Sequence, residues 1–373
     1  MKELWIDFML LEHFMRDVFI RMGVPESDAA DCSDVLITAD KYGIESHGVS
    51  RFKPIYVDRI QNGQVNPVTK AEITREAPAA AVIDGHNGMG MVIAKKAMNM
   101  TIEKAGKTGI AMTAVRNSNH YGIAGYYARM AIQNNMIGIT GTNARPSIAP
   151  TFGIENMIGT NPLTVGMPTD EAFPFLLDCA TSVSQRGKIE LLARQGKPIP
   201  EGWVIGSDGS ARTDAEQVLD ALVQGKAVLV PLGGLGEETA GYKGYGYATV
   251  VELLSAALQG GAFLKMLNGL DADGRTVPYR LGHFFIAVHI ESFTTVQAFK
   301  KTAGDICRTL RNSRKMKGAE QIYTAGEKEY LIYEDRKNKG ARVHPKLVKD
   351  LLMFRDRYGL KQYKFPDTDE QEG

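Results

Sequence analysis

Two short polar segments of the chain carry the side chains with the clearest chemical capacity. Residues 45–51 (ESHGVSR) place His47 four positions before Arg51, and residues 117–122 (NSNHYG) hold His120. Histidine is the usual proton donor or acceptor near neutral pH, and the planar fork of arginine suits a carboxylate. These residue types predict proton transfer on a substrate that bears a carboxylate group.

Simpler interpretations of these segments stay open on the residues alone. A single loop histidine is more often structural than catalytic, even in glycine-framed loops such as those of His47 and His120. Ser46 and Ser118 lie close to the two histidines, which raises the idea of a serine nucleophile. Neighbours in sequence seldom form such a pair, and the chain has no G-x-S-x-G motif. Nucleophilic catalysis by serine is therefore disfavoured.

Two other segments suit the phosphate or ribose groups of a cofactor. Residues 178–182 (DCATS) follow a predicted strand, and ligands of α/β proteins gather beyond such strand ends. Lys243 lies among the glycines of residues 241–246, directly before a predicted helix whose dipole favours an anion. A helix N-cap in the first segment and a solvated lysine in the second are the alternatives.

The glycine-rich stretches do not match the common nucleotide-binding motifs. Residues 85–90 have the spacing G-x-x-G-x-G, and no acidic residue ends a second strand at the distance that the dinucleotide motif requires. The glycines of residues 159–166 and 233–246 match neither that motif nor a P-loop. The sequence therefore disfavours a standard Rossmann half.

Composition limits the classes of partner. The 373 residues carry a net charge of +1, which gives no electrostatic footprint for nucleic acid or an anionic membrane. No apolar run is long enough to cross a bilayer. The three cysteines are widely spaced, which favours a reducing, cytoplasmic compartment. The chain has no CxxC or HExxH pattern, so we expect no metal site.

Hydrophobic periodicity divides the chain into three predicted parts. A helical N-terminal segment covers residues 1–78, an α/β body covers 79–312, and a helical C-terminal segment, 313–373, packs with the N-terminal one. Strands and helices alternate from residue 79, which predicts crossover units. The expected fold class is α/β, with a mixed, largely parallel sheet.

Local signals refine this outline. The first helix is predicted over residues 2–22, and His47 lies in the connection after the second. Pro54 requires the third helix to begin near Ser50. Residues 196–226 are polar and punctuated, which predicts a surface excursion, and the acidic tail from Pro366 is expected to fray.

Taken together, the ordered segments resemble the type 2 malate/L-lactate dehydrogenases, a family that also holds sulfolactate and ureidoglycolate dehydrogenases. The resemblance spans residues 5 to 360. The matching segments are SHGVSR at 46–51, NSNHYG at 117–122, GTNP at 159–162, DCATS at 178–182, RGKIE at 186–190 and GYKGYG at 241–246.

The resemblance implies an oxidoreductase that uses NAD or NADP, bound by a non-Rossmann α/β fold. It implies interconversion of a small 2-hydroxy acid and its 2-oxo acid in a homodimer, with the active site near the subunit interface. Malate and oxaloacetate are the favoured pair. Lactate, sulfolactate or another 2-hydroxy acid is the alternative, followed by a ligand-binding module without catalysis.

The resemblance also assigns roles to individual residues. His47 and His120 are the candidates for proton transfer, with His47 ranked first. Arg51 is placed for the substrate carboxylate, and Ser46 and His120 adjoin the substrate. A dicarboxylate needs a second cation, for which the candidates are Arg145, Arg116 and Lys53. The implied cofactor contacts are Thr142, Asn143, Asp178, Ala180, Thr181, Ser182, Lys243, Gly244, Gly326 and Glu327.

The last of these contacts lie in a segment that departs from the family pattern. Relatives usually have Pro-Gly-Glu there, whereas this chain has Thr324, Ala325, Gly326 and Glu327. The missing proline leaves the loop's conformation open.

Overall fold

A computed structural model describes residues 4–366 of the chain. The helices are α1 (Phe8–Arg21), α2 (Glu26–Lys41), α3 (Val49–Arg51), α4 (Asp58–Gln61), α5 (Gly90–Thr108), α6 (Ala124–Gln133), α7 (Arg186–Arg194), α8 (Ala215–Val223), α9 (Gly241–Ala256), α10 (Val296–Arg311), α11 (Glu327–Arg336) and α12 (Pro345–Arg357). The strands are β1 (Leu4–Ile6), β2 (Glu72–Ala77), β3 (Ala80–Asp84), β4 (Ile110–Ser118), β5 (Met136–Thr142), β6 (Leu163–Met167), β7 (Phe175–Cys179), β8 (Val204–Gly206), β9 (Ala227–Leu229), β10 (Leu281–His289) and β11 (Ala341–Val343).

A seven-stranded sheet in the order β2-β3-β4-β10-β5-β6-β7 forms the centre of the α/β body. Only β3 and β4 pair in parallel, and every other neighbouring pair is antiparallel. The prediction of a largely parallel sheet was therefore wrong, although α/β and mixed are correct. The crossovers through α5 and α6 exist, but β10 inserts from late in the chain between β4 and β5 and separates the strands that α6 connects.

Four strands nevertheless end at the same edge of this sheet. Because β4 and β5 are both antiparallel to β10, they run in one direction, which β3 and β7 share. The chain thus leaves Asp84, Ser118, Thr142 and Cys179 on one side. The segments predicted to carry chemistry after β4, β5 and β7 are neighbours for this reason.

Helices cover both faces of the sheet. Phe285 and Ala287 of β10 share a core with α5 and α6, whereas Gly282 lies against the Ser255 carbonyl of α9. Alternate residues of a strand face opposite sides, so α9 covers the face opposite α5 and α6. Burial of these apolar side chains fixes the strand ends relative to one another.

The two ends of the chain share one hydrophobic core. Phe14 and Phe19 of α1 pack with Phe52 and with Phe354 of α12, and β1 pairs antiparallel with β11. The first helix begins at Phe8, later than predicted, because β1 precedes it; the Asp7 side chain caps it by accepting from the Leu10 N–H. Residues 1–3 and most of the acidic tail, 367–373, lie outside the described residues.

The third predicted helix begins at Val49, close to Ser50, and accommodates its proline through a change of helix type. Residues Phe52–Val57, which include Pro54, form a π-helical segment between α3 and α4. Such segments shift the helical register by one residue and are frequent at functional sites. Here the segment carries Tyr56, whose side chain points toward the site described below.

The region predicted as a surface excursion, 196–226, instead forms part of a small folded unit. Ile199, Val204 and Val218 are buried in a core with Ile189 and Leu229, and β8 pairs with β9. The polar residues that separate these buried positions made the region look like a surface loop in the sequence. Among residues 4–366, no helix combines the length and apolar character that a membrane crossing requires.

Candidate active site

The two predicted histidines meet within one chain. The rings of His47 and His120 are stacked, with centroids 5.8 Å apart and planes inclined by 22°. His47 lies in the connection after α2, and His120 lies in the loop after β4. The N-terminal segment thus folds over the edge of the sheet and forms one wall of a shared site.

His120 is held through one of its ring nitrogens. Its Nδ1 atom lies 2.7 Å from the Tyr56 hydroxyl and 3.2 Å from the Gly122 backbone nitrogen. A backbone N–H can only donate, so Nδ1 is the acceptor and Nε2 carries the hydrogen of the neutral ring. Burial and then the charge of His47 keep the pKa of His120 well below its usual range. His120 is therefore a neutral hydrogen-bond donor at pH 7.

His47 has a partner that can adapt to either protonation state. Its Nδ1 atom lies 2.9 Å from the Ser46 hydroxyl, which can donate or accept. Burial, followed by the charge of Arg51, lowers the pKa of His47 to about 4. At neutral pH the ring is therefore uncharged and able to accept a proton.

The loop that carries His47 is anchored by a buried carboxyl group. Asp40 accepts a hydrogen bond from the Val49 N–H at 2.8 Å, and a Cβ at Gly48 would lie only 2.1 Å from the Asp40 side-chain oxygen. Only glycine therefore fits at this position. Arg51 donates from Nε to the Ser46 carbonyl at 2.5 Å, which leaves its terminal nitrogens for a ligand. The motif thus holds histidine and arginine together without a regular helical face.

The three candidates for a second substrate-binding cation differ in whether a carboxylate already pairs with them. Lys53 is paired with Asp58 at 3.0 Å, and Arg116 with Asp84 at 2.9 Å. Arg145 has no such ion pair among the described residues, and its charge acts on Arg59. Sequence reasoning missed Arg59, since no motif contains it.

The predicted cofactor segments after β7 and before α9 lie side by side. Thr181 accepts the Leu232 N–H through its carbonyl at 2.8 Å, and Leu232 in turn contacts Gly244, where a Cβ would lie 2.1 Å from the Leu232 carbonyl. Lys243 is exposed in the first turn of α9, which begins at Gly241 and not after the lysine as predicted. Ala180 is half-buried at the start of this segment.

Two hydroxyls in this area fit a polar ligand. The Ser182 and Ser184 Oγ atoms are buried and have no hydrogen-bond partner among residues 4–366. Such groups carry a desolvation cost unless a partner satisfies them. The two hydroxyls match the needs of a ribose or phosphate group. Ser184 was not predicted; its place two residues after the motif was the available signal.

Thr142 and Asn143 contribute differently. The Thr142 hydroxyl contacts the Gly282 carbonyl and the His283 ring, and the Asn143 amide joins the Ala262 carbonyl and the Gly282 N–H. Both side chains are thus committed to connecting β5 with β10. They hold the sheet edge in place, and the Asn143 backbone also takes part, since its N–H donates to the Gly282 carbonyl and its carbonyl accepts from the Thr142 hydroxyl.

Asp178 and Gly326 line one cavity of about 290 Å³, which Arg129 and Glu329 also border. The Asp178 carboxylate accepts from the Gly125 N–H at 2.7 Å and from a threonine hydroxyl. Burial raises the pKa of Asp178. The cavity therefore joins the ends of β7 and the loop before α11.

Glu327 turns away from this cavity and stabilises the loop. Its carboxylate accepts the Thr324 N–H at 3.0 Å and faces Arg311 at 3.7 Å. Gly326 adopts a φ of 92°, and the Ala325 carbonyl accepts from the Leu176 N–H of β7. These contacts fix the loop although the proline of relatives is absent.

The stacked pair of His47 and His120 and the unpartnered hydroxyls of Ser182 and Ser184 are an arrangement that suits a hydroxy-acid dehydrogenase. Residues 6–352 match the family described as malate/L-lactate dehydrogenase, and the chain belongs to that family. The resemblance inferred from the motifs is thereby confirmed. The family comprises NAD(P)-dependent enzymes.

Similar proteins cover almost the whole chain. A malate dehydrogenase of Pyrococcus abyssi is 45% identical over 93% of both chains. An L-sulfolactate dehydrogenase of Methanocaldococcus jannaschii is 38% identical over 92% of this chain and 94% of its own. The crystal structure of malate dehydrogenase from Entamoeba histolytica superimposes with a TM-score of 0.93 at 41% identity, covering 98% of this chain and 100% of that one.

Proposed function

We propose that this chain interconverts malate and oxaloacetate with NAD or NADP as cofactor. The observation that carries the proposal is the stacked pair of His47 and His120 beside Arg51. Malate dehydrogenases among the similar proteins support the choice of substrate.

The substrate is held through its carboxylate and its reacting oxygen. Arg51 binds the C1 carboxylate and so orients C2 and its oxygen toward the histidines. His120 donates from Nε2 to that oxygen, as its tautomer requires. The substrate thus approaches in one orientation.

His47 moves the proton. In the oxidation direction, neutral His47 accepts the hydroxyl proton, and in reduction its protonated form returns it. The bound carboxylate offsets the charge of Arg51, which is one cause of the low pKa of His47. Substrate binding therefore raises that pKa and helps the ring to retain the proton.

NAD(P) would be held by the segments at the sheet edge. Ser182 and Ser184 supply hydroxyls, and Lys243 supplies charge at the start of α9, which the absence of a side chain at Gly244 lets pack against the Leu232 backbone. The cavity of Asp178 and Gly326 accepts a second part of the molecule. When bound, the nicotinamide ring supplies or accepts the hydride at C2.

A substrate panel tests this function. The purified protein is mixed with NADH or NADPH and, separately, with oxaloacetate, sulfopyruvate and pyruvate, and cofactor absorbance is followed. We expect oxaloacetate to be reduced with the highest kcat/KM. A higher value for sulfopyruvate or pyruvate would reassign the substrate within the family. Cofactor binding without turnover of any 2-oxo acid would make the chain a ligand-binding module.

The assembly is proposed to be a homodimer. The outward face of α9 exposes Tyr247, Val250 and Leu253, and Leu258 follows on the same side. An apolar helix face of this kind is typical of a subunit interface. Light scattering after gel filtration is expected to give twice the mass of one chain, and Leu253→Glu should yield monomers. A monomeric wild-type protein would contradict the proposal.

A further inference from the structure

One partly buried arginine near the histidines has no anionic partner among the described residues. The Arg59 side chain is half-buried, and no carboxylate forms an ion pair with it among residues 4–366. Its guanidinium lies 4.1 Å from the centroid of the Tyr279 ring. Burying a charge without such a partner is unfavourable, so the position requires another explanation than stability.

Arg59 lies three residues after Tyr56 on the same helical run, and the Tyr56 hydroxyl is 2.7 Å from the His120 ring, so Arg59 adjoins the histidines together with two other arginines. Its pKa is lowered first by burial and further by the charges of Arg145 and Arg51. The charges of Arg59 and Arg51 also lower the pKa of His120. Three guanidinium groups close to a proton-transfer pair repel one another unless an anion lies between them.

Two of the other cations near the site are already neutralised. Lys53 is paired with Asp58, and Arg116 is paired with Asp84. Arg145 is exposed on the loop after β5, whereas the Arg59 guanidinium packs against the Tyr279 ring. A stacked guanidinium has a fixed plane, and a fixed plane discriminates between ligands better than a mobile side chain does.

We infer that Arg59 recognises the second anionic group of the substrate, while Arg51 binds the first, and that Arg59 selects dianionic over monoanionic 2-oxo acids. This inference rests on the proposed function. The second group is a carboxylate or a sulfonate, since both present oxygens to the planar fork of a guanidinium. Arg59 is thus a specificity residue, separate from the proton-transfer step.

The test compares three acids on each preparation. Arg59→Gln and Arg59→Lys are assayed with oxaloacetate, sulfopyruvate and pyruvate at saturating NADH. Because each ratio of kcat/KM values comes from one preparation, a partly unfolded variant does not distort it. Arg75→Gln, on the exposed edge strand β2, serves as the matched control.

We expect Arg59→Gln to lower kcat/KM for at least one dianion on the order of 10- to 100-fold, with pyruvate changed less than about threefold. The dianion that loses more identifies the second group as carboxylate or sulfonate. Arg59→Lys should lose less of its kcat/KM for the dianions, because lysine keeps the charge. If the glutamine variant does not fold, the lysine variant provides the comparison. An equal loss for all three acids would overturn the inference. Failure of the wild-type protein to reduce any of them would instead refute the proposed function.

Discussion

Two parts of the proposed site are organised in opposite ways: the histidine wall (His47, His120 and Arg51) and the cofactor cradle (Ser182 and Ser184). His47, His120 and Arg51 are held by hydrogen bonds from the protein itself. The hydroxyls of Ser182 and Ser184 are buried without any partner from the described residues. The proposed proton-transfer groups are thus positioned by the fold, whereas the proposed cofactor side presents polar groups that the described residues do not satisfy.

The largest effect is expected from the wall. His47→Ala removes the proton acceptor, so kcat should fall by about 10²–10⁴-fold. His120→Ala, which loses a neutral donor, should cost less, and NADH affinity should change little in either variant. His13→Ala, at an exposed position on α1, is the control. A greater loss at His120 than at His47 would exchange the two roles.

An intermediate effect is expected from the cradle. Ser182→Ala and Ser184→Ala should each weaken NADH binding about 2- to 10-fold, without lowering Tm, because the hydroxyls have no protein partner to lose. Ser33→Ala is the contrasting control, since its hydroxyl donates to the Ala29 carbonyl inside α2; it should lower Tm and leave NADH affinity unchanged. Fluorescence titration and thermal melting measure the two quantities. Lower Tm with unchanged affinity in the serine variants would contradict their assignment.

The smallest effect on catalysis is expected from the anchor of the wall, Asp40, which acts on stability. Burial raises the pKa of Asp40 to about 8, above its unfolded value, so the folded state holds the proton more tightly. The stability that this provides is complete below the unfolded pKa and is lost as pH rises through about 8. Asp40→Asn resembles the protonated acid and keeps an acceptor for the Val49 N–H. At about 1.4 kcal/mol per pKa unit, it should gain roughly 2–5 kcal/mol over the wild type at pH 9.

Denaturant unfolding at pH 4 and pH 9 measures this gain. The two proteins should be equally stable at the lower pH and should separate at the higher one. Parallel pH dependences would show that Asp40 is ionised in the folded protein.

The sequence allowed prediction of what lies close together along the chain. The motifs around His47 and His120 and the failure of the Rossmann pattern led to the family that the comparison then confirmed. The prediction of a largely parallel sheet was wrong because β10 lies between β4 and β5 in the sheet although it is far from them in sequence. The local alternation of strands and helices does not indicate such a long-range pairing. Arg59 was missed for the same reason, since its surroundings depend on Tyr279, a distant residue.

The most direct test of the account follows the hydride itself. NADH with deuterium at both C4 positions of the nicotinamide is incubated with oxaloacetate and the wild-type protein, and the product is analysed by mass spectrometry. The account predicts malate that carries deuterium at C2, formed in step with NADH oxidation. NADH that binds but stays unoxidised, or a product without the label, would contradict it.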